Sequence, residues 1–245
     1  EMQFADFVTV GFNQIVNNLA KVHYRWGQNA DVVIRMPTGG GVGAGPFHSQ
    51  SNEAWFTHVP GLKVVYPSNP ADAKGLMKSA IRDNDPVIFM ESEVMYGDKG
   101  LVPEGEYLIP IGKANIVKPG SAVTIVTFGK MLSRVVMPAV EELEKQGISC
   151  EVIDLRSVRP IDYPALVESV KKTNRCVVVE ESWPLASISS EISYHLQRYA
   201  FDHLDAPVMR VTQTDTPFAF SPTLIEEALP NAERLIKAVK RTLYR

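Results

Sequence analysis

Apolar positions recur along this chain with two periods, and the periods alternate. Phe12, Ile15, Leu19 and Val22 return every three or four residues, which predicts an amphipathic helix. Asp6 stands where a side chain caps a helix start, and Gly27 where a glycine ends one. Residues 31–36 predict a short strand, stopped by Pro37. Residues 52–58 predict a short helix and 63–66 a strand. Asn69-Pro70 reads as a cap followed by a first-turn proline. The helix it opens runs to about Arg82, with Ala73, Leu76, Met77 and Ala80 on one face. Residues 86–90 predict the next strand.

Regularity lapses over residues 97–120, where Gly97, Gly100, Pro103, Gly105, Pro110, Gly112, Pro119 and Gly120 gather. Such a stretch predicts a connection between two domains, covering residues 1–96 and 121–245. In the second, strands are predicted at 122–128, 150–155, 176–179 and 207–211. Helices are predicted at 132–146, 163–172 and 187–199, and a mostly helical close over 224–244. Strands separated by helical stretches predict an α/β fold: two units of mostly parallel sheet flanked by helices.

Composition narrows the function classes. The chain has 245 residues, 45% hydrophobic, with a formal net charge of -3. Lysines and arginines are scattered, so neither nucleic acid nor an anionic membrane is an expected partner. No apolar run approaches the roughly 20 residues of a membrane helix. Cys150 and Cys176 sit in apolar runs and read as buried thiols of a reducing compartment. The chain opens at Glu1 on a folded-type pattern, which reads as a chain cut inside a domain.

The run from Gly39 to Gly45 invites a dinucleotide reading, since Gly39, Gly41 and Ala44 fit G-x-G-x-x-A after a strand. That fingerprint needs a helix opening at once, and Pro46-Phe47-His48-Ser49-Gln50 is a poor helix start. A loop presenting His48 is the better reading. An imidazole at a cleft rim can pass a proton near neutral pH; the alternative is a loop histidine bonding its own turn. His58 reads as capping or packing, and His23, His195 and His203 as structural or solvated. Glu180-Glu181 follow a strand, where ligand crevices open, or form a solvated acidic turn. Phe7 reads as core, or as a ring that stacks on another ring. No zinc spacing, P-loop or nucleophile elbow occurs.

Several stretches together carry a resemblance. Residues 1–7 (Glu-Met-Gln-Phe-Ala-Asp-Phe), 47–51, 60–65, 72–76, 80–83 and 151–156, with Arg159-Pro160 and residues 215–217, resemble the beta subunits of 2-oxo acid dehydrogenases. Residues 95–97, 109–113 and 179–184 look more like the pyruvate than the branched-chain enzymes. The resemblance implies part of a thiamine diphosphate pyrimidine-binding domain followed by a transketolase C-terminal-type domain. It implies oxidative decarboxylation of pyruvate and reductive acetylation of lipoyl groups. It implies thiamine diphosphate shared with an alpha subunit that also holds the diphosphate and magnesium. A second beta subunit and a lipoyl-bearing acyltransferase are the other implied partners. The implied compartment is the bacterial cytoplasm or the mitochondrial matrix.

Residue by residue, Phe7 matches the aromatic position against the aminopyrimidine ring. His48 matches the histidine that handles acetyl transfer. Val32, Ala80, Ile81, Asp83 and Asp85 fall where some members bind a structural potassium ion through carbonyl oxygens. Asp205 aligns near a surface that meets the acyltransferase core. The family's glutamate that bonds the pyrimidine nitrogen would lie upstream of Glu1, so the chain alone is expected to be inactive. A transketolase or deoxyxylulose-phosphate synthase relative, a branched-chain enzyme and a non-catalytic assembly module remain as rivals.

Overall fold

A computed structural model describes all of residues 1–245. The chain begins with a helical run that is 3₁₀ over Ala5–Gly11, π over Gln14–Leu19 and α over Ala20–Trp26 (α1). Gly27 ends it in the left-handed region, φ 66°, its N–H returning to His23 O at 2.8 Å. Asp6 does not cap this run: Phe4 holds the cap position and Asp6 lies inside the first turn.

Strand β1 (Val33–Thr38) is followed by α2 (Glu53–Thr57), β2 (Lys63–Val65), α3 (Pro70–Ile81) and β3 (Val87–Ser92). At α3, Asn69 Oδ1 accepts from Asp72 N at 2.8 Å and Pro70 sits in the first turn: first-turn amides have no intrahelical acceptor, so one is capped by a side chain and a proline can stand where another would be. The strand expected to stop at Pro37 continues to Thr38. It lies at the edge of its sheet, where a proline's missing N–H removes no ladder bond.

The remaining elements are β4 (Asn115–Lys118), β5 (Val123–Thr127), α4 (Met137–Lys145, after a π turn over Leu132–Val136), β6 (Cys150–Asp154), β7 (Ser157–Arg159), α5 (Tyr163–Thr173), β8 (Cys176–Val179), α6 (Ile188–Tyr199), β9 (Met209–Val211), α7 (Pro222–Ala228) and α8 (Ala232–Thr242). The helical close is therefore two helices, parted near Pro230.

Packing divides the chain into two units. One comprises Glu1–Lys113, Arg156–Ile161 and Pro217–Ile225; the other comprises Ala114–Leu155, Asp162–Thr216 and Glu226–Arg245. The packing thus does not follow a simple cut at residues 97–120. Residues up to Lys113 lie along α3, where Tyr107 Oη donates to Ala71 O at 2.7 Å and Ile109 N to Gly75 O at 3.4 Å. Residues 115–118, expected as linker, form β4.

The first unit holds a sheet in the order β1-β3-β2-β7. Its first three strands are parallel and β7 is antiparallel to β2. The second holds β4-β6-β5-β8-β9, parallel except for β4 against β6. Every residue of β5, β6 and β8 is buried, as expected of strands covered on both faces. Val123 and Ile125 share a core with Val140 and Leu143 of α4 and Leu235 and Val239 of α8. The alternate residue Thr124 turns the other way and meets Ser169 and Thr173 of α5 at 2.6 and 2.7 Å.

Candidate functional site

In the first unit the sequence positions Phe7 and His48 become neighbours. Their ring centroids lie 5.1 Å apart, edge to face at 88°. Phe4, which the sequence reading missed, completes a three-ring group, 4.9 Å from His48 and 5.8 Å from Phe7. Phe7 is 37% exposed and His48 half-buried, so both can meet a bound molecule. Edge-to-face packing sets the positive ring edge against the negative ring face. It leaves part of each ring open to a further partner.

Two hydrogen-bonded clasps hold this geometry. Asp6 Oδ1 accepts from Gln50 N at 3.1 Å and from Gln50 Nε2 at 2.9 Å, and Asn52 Nδ2 donates to Ala5 O at 3.0 Å. The segment carrying Phe7 is thereby tied to the segment carrying His48. The loop between β1 and His48 closes on itself as well. Thr38 Oγ1 and Gly39 N both donate to Gln50 O, at 2.9 and 3.2 Å. The glycine run is therefore a folded loop ending at His48, with no helix at its end, and the dinucleotide fingerprint has no structural counterpart.

The other expected positions are less concentrated. Asp83 and Asp85 both bind the Lys63 ammonium, at 2.7 and 3.1 Å. Val32 O accepts from Val87 N at 3.0 Å and Ala80 O from Asp83 N at 3.2 Å. Lys63 thus already meets these carboxylates, which leaves carbonyl oxygens, with their second lone pairs, as the donors suited to potassium. Ile81 is exposed. No group of three or more His, Cys, Asp or Glu side chains is placed to hold a metal ion.

In the second unit, Asp205 pairs with Arg175 Nη2 at 2.9 Å and its carbonyl accepts from Tyr244 Oη at 2.7 Å. It borders a groove of about 470 Å³ lined also by Phe201, Leu204, Val208 and Tyr244. Glu180 and Glu181 are buried, contrary to a solvated turn. Glu181 meets the Lys130 ammonium at 2.7 Å. Glu180 Oε1 accepts from Ser189 N at 2.9 Å, which satisfies an amide at the start of α6 that no Ser187 side-chain bond reaches. Cys150 and Cys176 are buried free thiols. Burial pushes each up to about 12, so both stay protonated and unreactive. No helix is long and apolar enough to cross a membrane.

The family model for the transketolase pyrimidine binding domain matches residues 1–99, and that for the transketolase C-terminal domain matches residues 112–235. The Rickettsia felis protein named pyruvate dehydrogenase E1 component subunit beta is 44% identical over 246 residues, covering 100% of this chain and 75% of its own length. The Rhizobium meliloti protein of the same name is also 44% identical, and this chain spans about half of it, 54%. The Cupriavidus necator protein named acetoin:2,6-dichlorophenolindophenol oxidoreductase subunit beta is 46% identical, covering 99% of this chain and 72% of its own length. Among solved structures, one described as a split gene transketolase, inactive beta4 tetramer, matches with a TM-score of 0.77. Its identity is 26%, over 98% of this chain and 74% of that one.

Proposed function

Given that the chain belongs to the family of beta subunits built from transketolase pyrimidine-binding and C-terminal domains, we propose that it serves as the beta subunit of a pyruvate dehydrogenase. The reaction is oxidative decarboxylation of pyruvate, followed by transfer of the acetyl group to a lipoyl chain. The observation that carries this reading is the placement of His48 against Phe7, two residues far apart in sequence, with both accessible.

When bound, thiamine diphosphate supplies the electron sink for loss of the carboxylate. Phe7 offers a partly open ring, which suits a flat heteroaromatic ring such as an aminopyrimidine. Phe4 and the Asp6–Gln50 clasp hold His48 beside that ring. During acetyl transfer the electron pair left by decarboxylation would break the lipoyl S–S bond as the two-carbon unit forms a C–S bond and gives up its bond to the cofactor. His48 provides the proton taken up by the released lipoyl sulfur. No residue here is assigned to the diphosphate or magnesium, which fall to an alpha subunit. A second beta subunit and a lipoyl-bearing acyltransferase are the further partners, the latter near Asp205. A potassium ion would rest on carbonyl oxygens around Val32, Ala80 and Ile81, with Asp83 and Asp85 engaged by Lys63. Equal melting temperatures in sodium and potassium chloride at one ionic strength would remove that ion.

The test is lipoyl acetylation by the enzyme assembled with its alpha subunit, comparing parent and His48→Ala. A loss of 100-fold or more is expected, in line with about 10²–10⁴-fold for a positioned acid or base. A near-parental rate would defeat the role. The acetoin-oxidising relative supports a second reading, with acetoin as substrate. Turnover of pyruvate, acetoin and a branched-chain 2-oxo acid by the same preparation separates the readings.

A further inference from the structure

Gly40 and Phe218 approach more closely than a side chain on Gly40 would permit. A Cβ on Gly40 would stand 2.5 Å from Phe218 Cζ and 2.6 Å from its Cε1. Phe218 is only 3% exposed, so the ring is enclosed on its other sides and has little room to move away. Gly39, Gly41, Gly43 and Gly45 all have positive φ, but Gly40 does not. Its missing side chain therefore serves the close approach of the ring, a use of glycine distinct from turning the chain.

A second ring touches the same loop. A Cβ on Gly45 would lie 2.3 Å from Phe220 Cε1. There the glycine also has φ 75°, and Phe220 is 67% exposed, so that ring can yield. The enclosed contact at Gly40 is the determining one. Gly40 directly follows the loop's closing bonds to Gln50, and the loop's far end presents His48, whose N–H points to Gly45 O at 3.5 Å. Both rings sit on Pro217–Ile225, which packs in the first unit.

We propose that Phe218 is a positioning residue for His48. Its ring seats in the notch that Gly40 leaves and sets the path of the loop from Gly39 to Gln50. That path brings the imidazole against Phe4 and Phe7. The effect on catalysis rests on the function proposed above; the effect on the loop does not.

The test uses Gly40→Ala, Phe218→Leu and the double variant. The first readout is the His48 Hε1 resonance in histidine-labelled protein, identified by its loss in His48→Ala. Phe4 and Phe7 impose ring-current shifts on it, so it reports the loop without reference to activity. Gly40→Ala should move it, and the double variant should return it toward the parental position, because the shorter Leu vacates the space the new methyl enters. Such reciprocal rescue marks direct coupling.

The second readout is the assembled enzyme. Gly40→Ala should lower lipoyl acetylation at least tenfold, and dye-linked oxidation of the 2-oxo acid less than threefold, with partial recovery in the double variant. A general loss of fold would lower both rates together. If Gly40→Ala fails to fold, Phe218→Leu alone should show the same split and a moved resonance. An unmoved His48 resonance in a folded Gly40→Ala protein, or in Phe218→Leu where Gly40→Ala does not fold, would overturn the proposal. A moved and rescued resonance with normal acetylation in His48→Ala would keep the positioning and remove the catalytic role proposed for His48.

Discussion

Asp6 Oδ1 accepts two hydrogen bonds from one residue, Gln50, through its backbone N–H at 3.1 Å and its side-chain amide at 2.9 Å. Asp6 is 7% exposed, so water cannot readily replace it. Removing the acceptor strands a main-chain donor, at a cost of about 1–3 kcal/mol. Asp6→Ala should therefore lower the melting temperature by several degrees, and Asp6→Asn, which keeps one acceptor oxygen, by less. Equal melting of parent and Asp6→Ala would show that the clasp contributes nothing.

Glu180 gives a prediction of opposite sign. Burial pushes its carboxyl up, against the hydrogen bonds from Ser187 and Ser189, which favour the ionised form. A raised folded-state value means that the group's stabilising contribution is complete below the unfolded value, about 4.3. It is lost as pH rises through the folded value. Glu180→Gln keeps an oxygen for Ser189 N–H and removes the buried charge. The variant should melt at or above the parental temperature at pH 8 and lose less stability between pH 5 and 8. Melting well below the parent at pH 8 would contradict this.

Glu151 behaves in the reverse sense. Burial alone would push it up, but the Lys172 ammonium, the Ser169 hydroxyl and the Gly120 N–H together hold it below the usual carboxylate range. A depressed value means stability that is present above the unfolded value and lost as pH falls through the folded one. Glu151→Gln should lower stability at pH 7 and flatten the acid limb below about pH 4, read by denaturant titration at several pH values. Parallel acid limbs in parent and variant would exclude Glu151 as a contributor.

Arg156 and Asp72 form a two-pronged pair in the first unit, Nε to Oδ2 at 3.0 Å and Nη2 to Oδ1 at 2.7 Å. The Asp72 side chain is 4% exposed. Removing one partner leaves the other charge buried, a cost of about 3–5 kcal/mol. Arg156→Ala should destabilise by that order in urea. Arg156→Lys should recover only part, since a lysine lacks the planar fork. A loss under about 1 kcal/mol for Arg156→Ala would place the pair among weak surface bridges.

Much of the architecture was legible residue by residue. Asn69-Pro70 opens α3 and Gly27 closes α1 as the local pattern indicates, because caps and left-handed stops depend on a few neighbouring atoms. The buried central strands announce themselves as apolar runs. β4 and β7 did not, being three or four residues long and antiparallel at sheet positions no local period reveals. Pro37 misled, since a proline is tolerated in β1 only through that strand's edge position. Asp6 looked like a cap and is a clasp. Glu180 and Glu181, read as the edge of a crevice or a solvated turn, are buried. His48 was singled out by its glycine loop and Phe7 as a ring that could stack, each with an ordinary alternative; family resemblance supplied their expected roles.

From its own residues the chain determined the alternation of strands and helices, the caps that delimit several of them, and the apolar runs that become sheet centres. These follow from φ/ψ preferences, hydrogen bonds and periodicities acting over a few residues. Tertiary structure alone decided that Phe4, Phe7 and His48 share one corner, that Gly40 receives Phe218, and that residues 156–161 and 217–225 join the first unit. Those contacts link positions far apart in sequence, so they exist only once sheet order and register have brought the segments together.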